Sequence, residues 1–180
     1  MKKQIIVQLK KRFSAFIIDY LVIVLYALLL FGFTTLIQSR FNITSEEINP
    51  IKGQIIGFVF LTLPVFFYFY FSEKSEKKGT IGKRLMNIYV TNDQITHNKN
   101  IFIRNVLKFL PWEIAHIGVH WIVFYSSLDI LPPDWVWITL ITPQIIVIVY
   151  IISIIIYRGE SSFYDKIANT KVQINHSPLS

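Results

Sequence analysis

Arg12-Phe-Ser-Ala-Phe-Ile-Ile-Asp19 opens an apolar run that ends near Ile37, and from Phe13 to Leu36 its only charged side chain is Asp19. Roughly 20 apolar residues, each rising 1.5 Å, cross the hydrocarbon core of a bilayer, so this run is long enough to span one. A carboxylate inside such a run costs roughly 2.5–3.5 kcal/mol on insertion scales, which turns Asp19 toward protein or water and away from lipid. Arg12 stands seven residues earlier, two helical turns back on nearly the same face, where a long side chain reaches the headgroups. The stretch predicts a membrane protein with a buried acid near the mouth of its first span.

The rest of the composition agrees. The 180 residues are 53% hydrophobic and only 16% charged, against about 25% charged in a soluble domain. A single membrane domain over residues 1–180 is the expectation. The net charge of +7 is carried by basic residues clustered beside apolar runs. That placement points to an anionic inner leaflet as the partner, met through Lys2, Lys3, Lys10, Lys11, Lys83 and Arg84, and not to nucleic acid. The absence of cysteine excludes disulfides, thiolate metal sites and a cysteine nucleophile. Met1-Lys-Lys before an apolar run has the start of a signal peptide, but the run is too long and no small-residue cleavage site follows. An uncleaved first span is expected.

Four spans are predicted, at about 13–37, 53–72, 105–127 and 135–157, with Pro64 inside the second and Pro143 inside the fourth. The N-terminus, the polar segment 73–104 and the tail 158–180 then share one side and carry five, seven and three basic residues. The other side has only Arg40 and Lys52. The positive-inside rule makes both termini cytoplasmic in a multi-pass protein of the cell membrane. The third span is the least apolar, because Lys108, Glu113, His116 and His120 fall within it; a re-entrant or interfacial helix is its alternative. Within the cytoplasmic segment, residues 80–86 are expected to form a short interfacial helix with Lys83 and Arg84 at the headgroups. Residues 87–91 and 171–174 alternate as strands do and are expected to pair. The predicted fold is an all-α membrane protein, a four-transmembrane-helix bundle with a small cytoplasmic β element.

Gly79-Thr-Ile-Gly82-Lys83 is too short for a phosphate-binding loop and has no serine or threonine after the lysine, so the nucleotide reading fails. Glu113, His116 and His120 share one helix face at 100° per residue. Counted by helical rise, Asp19 lies roughly 9 Å and Glu113 roughly 12 Å inside their spans, so the two acids are expected to meet at one level. Lys108 or Arg104 would neutralise one of them. Two close carboxylates in low dielectric require a cation or a shared proton. Asp19, Glu113, His116 and His120 are therefore the candidates for ion or proton binding. Interhelical hydrogen bonding is the plain alternative, and a divalent site is allowed by the ligand types; no metal and no cofactor is assigned.

Three separated motifs carry a further observation. Arg12-Phe-Ser-Ala15-Phe-Ile-Ile-Asp19, Lys78-Gly-Thr-Ile-Gly82-Lys83-Arg84-Leu85 with Arg104 after it, and Tyr164-Asp165-Lys-Ile-Ala168-Asn169-Thr170-Lys-Val172 resemble, in order, the signatures of the RDD family of small membrane proteins. The chain departs from the pattern at Tyr164, where histidine is usual, and at Asn169, where glycine is usual. The separate fourth span resembles a four-span variant. The resemblance implies an integral membrane protein, with cation–proton antiport proposed for some members and accessory-subunit roles for others. It also implies a role for Asp165, which would pair with Arg12, Arg104 or Arg158 and lock the tail to the mouth of the bundle. The function expected is cation or proton-coupled transport, with a non-catalytic scaffold or accessory subunit as the alternative. No enzyme is expected, and the assembly is expected to be a homo-oligomer or to include a membrane partner.

Overall fold

The computed structural model describes residues 2–41, 49–92 and 97–175; most of the loop expected between the first two spans, the end of the tail, and the side chains of Lys2 and Lys3 lie outside the described residues. Helix α1 runs from Lys2 to Phe41 as one 40-residue rod. The second column is built from α2 (Pro50–Gly57), a π-helical turn over Phe58–Thr62, and α3 (Leu63–Lys74). The short α4 (Ile81–Leu85) and strand β1 (Ile88–Thr91) follow. Then come α5 (His97–Ser127), α6 (Asp134–Ile156), α7 (Phe163–Ile167) and β2 (Lys171–Ile174).

Among the described residues, three helical columns are long and apolar enough to cross a membrane: 6–41, 50–74 and 134–156. Their outer surfaces are apolar. Leu21, Leu25, Leu28 and Phe31 of α1 are 60–68% exposed, as in a helix whose solvent is lipid. The fourth long helix, α5, starts at His97 instead of near Asn105 and carries Lys99, Arg104, Lys108 and Glu113 along its length. It is nonetheless central, packing on α6 most extensively and on α2 and α3 as well.

Three prolines, Pro64, Pro111 and Pro143, lie within the long helices, and at the first two the freed carbonyl is taken by a tyrosine from a neighbouring helix. Pro64 has no N–H to give to Phe60; the Phe60 carbonyl instead accepts the Tyr26 hydroxyl of α1 at 2.6 Å. The π-helical turn sits directly before Pro64 and widens the backbone there. Pro111 likewise leaves the Leu107 carbonyl free, and it accepts the Tyr150 hydroxyl of α6 at 2.9 Å. In hydrocarbon no water is available for that task.

The elements outside the long helices gather at one end. Strands β1 and β2 pair antiparallel with Ile88 opposite Ile174 and Thr91 opposite Lys171, the pairing expected from their alternation. Ile88, Val90 and Val172 are buried with Ala15 of α1 and Ile101 of α5. Gln8 at the start of α1 donates to the Val172 carbonyl at 2.8 Å, which places the beginning of the first helix against the second strand. Asn169 turns the chain into β2 with φ 50, the left-handed conformation that asparagine tolerates almost as glycine does.

Replacing Tyr26 by Phe removes one such hydrogen bond and should lower stability by about 1–2 kcal/mol. In a Pro64→Ala background, where the alanine N–H can take the Phe60 carbonyl, the same replacement should cost almost nothing. Thermal unfolding of the four proteins of that cycle in detergent checks the coupling.

Candidate functional site

At the end where the sheet lies, the most deeply buried groups are charged. Arg104, Glu73 and Asp165 are each at most 1% exposed. The Arg104 guanidinium bridges the two carboxylates: its Nη1 donates to Glu73 Oε2, and its Nε donates to Asp165 Oδ1 at 2.6 Å. Lys83 of α4 holds the other Glu73 oxygen at 2.6 Å, and Asn105 donates to Glu73 at 3.0 Å. Arg12 of α1 donates to Asp165 Oδ2 at 3.0 Å and to the Gly159 carbonyl at 2.9 Å. Asp165 also closes a capping box with Ser162 at the start of α7. Burial alone would raise the Asp165 carboxyl; Arg104, Arg12 and the Ser162 N–H reverse this and push it from the ordinary 3.8 down to about 2. A buried ion pair is tolerated only when every remaining lone pair is satisfied, and the neutral donors supply that here.

Asp19 does a different job. It is 4% exposed, and it accepts the Thr80 hydroxyl at 2.6 Å, the Gly82 N–H at 2.9 Å and the Tyr68 hydroxyl at 3.1 Å. Tyr68 in turn accepts the Ile81 N–H at 3.0 Å. The first N–H groups of α4, which have no partner inside that helix, are thus capped from α1 and α3. The close approach requires Gly82, because a Cβ there would collide with the Ala15 carbonyl. This fixes why Ala15 and Asp19, one turn apart, belong together.

A second polar group lies along the seam between α5 and the second column. Glu113 accepts the Thr62 hydroxyl at 2.5 Å and the Gln54 amide at 3.2 Å. Trp112 donates to the same Thr62 oxygen at 3.1 Å. One turn further, His116 and His120 bring their Nε2 atoms to 3.1 Å of each other. Their rings rest on Gly57 and Gly53, where a side chain would strike them. His116 Nδ1 and Gln54 Oε1 are buried without a hydrogen-bond partner. Lys108 sits between this group and the charged cluster, its Nζ 3.3 Å from the centre of the Phe69 ring.

Three expectations are corrected by this geometry. Asp19 and Glu113 do not share a site: their partners Tyr68 and Thr62 lie six residues apart on one column, roughly 9 Å by helical rise. The divalent site drawing on all four residues fails with it, since no three metal-ligating side chains converge among the described residues. Lys83 faces inward to Glu73 instead of out to headgroups, whereas Arg84 stays exposed while bonding the Gly79 carbonyl at 2.6 Å. Asp165 takes Arg12 and Arg104, whereas Arg158 turns the chain out of α6 with φ 55. Sequence reasoning missed Glu73 altogether. The available signal was that it closes the second apolar run as its sole acid, as Asp19 does within the first.

A model of the RDD family matches residues 6–169. No curated protein and no solved structure matches the chain.

Asp165 is favoured in its ionised form by folding, so its contribution is full above about pH 4 and is lost as pH falls from there toward 2, about 2 kcal/mol in all. Tyrosine and tryptophan fluorescence of the detergent-solubilised protein should show an acid transition in that window that disappears in Asp165→Asn. Glu73→Gln leaves Arg104 and Lys83 short of a countercharge and should cost about 3–5 kcal/mol, which a chemical-denaturation midpoint reads directly.

Proposed function

The chain belongs to the RDD family, and from that premise we propose a four-span protein of the cell membrane, with both termini cytoplasmic, that passes protons or a monovalent cation along the seam between α5 and the second column. The observation that carries the reading is Glu113. Its partners are the neutral Thr62 and Gln54, and among the described residues no lysine or arginine lies within ion-pair distance of it. An ionisable group at membrane depth without a fixed countercharge is a place where a cation or proton can be bound and released. The adjacent imidazoles offer a titratable path onward.

Support for α5 as a crossing helix comes from its company. It is flanked by two apolar columns, and its 31 residues extend roughly 46 Å, more than a bilayer core requires. Support for the orientation comes from the fifteen basic residues on the sheet-bearing side against two on the other. Lys10 and Lys11 at the start of α1 would then meet anionic headgroups. The reading assigns no catalysis and no cofactor. It assigns Asp19 to folding, because three neutral donors hold it in place.

A scaffold or accessory subunit, as a homo-oligomer or with a membrane partner, is the second reading. The family's arginine and both of its aspartates are all satisfied within the protein, as structural charges would be.

Flux of protons, sodium and potassium into proteoliposomes under an imposed pH gradient separates the two readings. Transport predicts that Glu113→Gln reduces flux by roughly tenfold or more, while Asp19→Asn loses stability but keeps its flux per folded molecule. Wild-type flux no greater than that of empty liposomes would leave the scaffold reading in place.

A further inference from the structure

Four basic side chains enter the buried interior near α5: Arg12, Lys83, Arg104 and Lys108. Three have carboxylate partners, since Arg12 pairs with Asp165, Lys83 with Glu73, and Arg104 with both. Lys108 has none among the described residues. Its Nζ lies 3.3 Å from the centre of the Phe69 ring and 5.6 Å from that of Phe109. Those two rings pack edge to face at 5.4 Å, and Phe66 joins them at 5.9 Å from Phe109. They form an aromatic collar between the charged cluster and Glu113. On the cluster side, Asn105 Oδ1 is buried without a donor. On the other side, Trp112 is one turn along α5 from Lys108 and donates to the Thr62 hydroxyl that itself donates to Glu113.

The arrangement leaves one polar group crossing an otherwise apolar barrier. The ring faces attract such a cation by about 2 kcal/mol at best when desolvated, and no carboxylate lies within ion-pair distance of it among the described residues. Of these four cations it is therefore the one whose proton can leave without breaking an ion pair among the described residues. We propose that Lys108 carries protons through the aromatic collar, between the inner ionic cluster and Glu113. The inference rests on the pathway proposed above and names the group that feeds it.

In this step the Lys108 amine takes a proton arriving from the sheet-bearing side and becomes an ammonium. The ammonium then gives that proton to a water in the seam, the water passes one on to the Glu113 carboxylate, and the amine is restored. Phe69 beside the amine and Thr62 beside Glu113 lie seven residues apart on the second column, roughly 10 Å by helical rise, so the proton crosses that gap on water in the seam and not by direct contact of the two side chains. The charged groups that surround the amine are Asp19 of α1, Glu73 of α3, Lys83 of α4 and Arg104 of α5. From α6, the Tyr150 hydroxyl is committed to the Leu107 carbonyl. None of these takes the ammonium in an ion pair.

The experiment is proton flux in proteoliposomes for wild type, Glu113→Gln, Lys108→Arg and Lys108→His, each first shown to be monodisperse. Arginine keeps the charge and the ring contact but does not release its proton, so a carrier predicts that Lys108→Arg falls to roughly a tenth of wild type or less. Histidine can exchange a proton near neutrality, so Lys108→His should retain flux, with a pH profile different from that of wild type. A purely structural ammonium predicts the reverse, with Lys108→Arg active and Lys108→His inactive. Wild-type flux in Lys108→Arg beside a silent Glu113→Gln overturns the carrier and leaves the pathway intact. Equal flux in wild type and Glu113→Gln, or none in wild type, overturns both.

Discussion

The Arg104 guanidinium, set between the carboxylates of Glu73 and Asp165, is the contact on which the rest of the architecture depends. It joins the end of the second column to the tail, from a helix that also packs on α6. Arg12 and Lys83 each add a further element, so α1, α3, α4, α5 and α7 converge on two acids. Removing either acid would strand one cation, Lys83 or Arg12, and leave Arg104 with a single carboxylate, which is far costlier than losing a surface pair. The small sheet rests on the same arrangement, because β2 follows α7 after a three-residue turn and lies against the start of α1.

The polar groups of the interior divide into two kinds. The carboxylates at the sheet-bearing end are saturated: Asp19, Glu73 and Asp165 each accept three or more hydrogen bonds. Groups that are fully satisfied fix geometry and resist change. Those along the seam around Glu113 are not saturated, with His116 Nδ1 and Gln54 Oε1 buried and unpartnered. A buried polar atom without a partner is a cost that a static scaffold has no need to carry. This contrast separates the family's signature charges, which build the protein, from the residues that the proposed conduction uses.

Much of the fold was legible in the sequence because hydrophobic runs and strand alternation are local signals. The two strands are legible from short alternating patterns at 87–91 and 171–174, and the pairing of Asp165 with Arg12 and Arg104 is among those the resemblance allowed. The charged interior was not legible. Glu73 and Lys83 sit where apolar runs give way to polar ones, and there composition alone reads a charge as solvated. The meeting of Asp19 with Glu113 failed for a geometric reason. Depth was counted from helix starts assumed to lie in one plane, but α5 begins at His97, and α1 docks on α4 instead of on α5. The tyrosine caps over Pro64 and Pro111 likewise depend on which helices are neighbours, and spacing along the chain does not carry that information.

The tail is held by the buried ionic cluster and not by the strand pairing alone. Amide hydrogen exchange of Arg104→Gln in nanodiscs, followed over residues 163–174, tests this most directly. The account predicts that α7 and β2 lose protection together, while the amides of α6 stay protected as in wild type. Undiminished protection of α7 and β2 in a folded Arg104→Gln protein would contradict it.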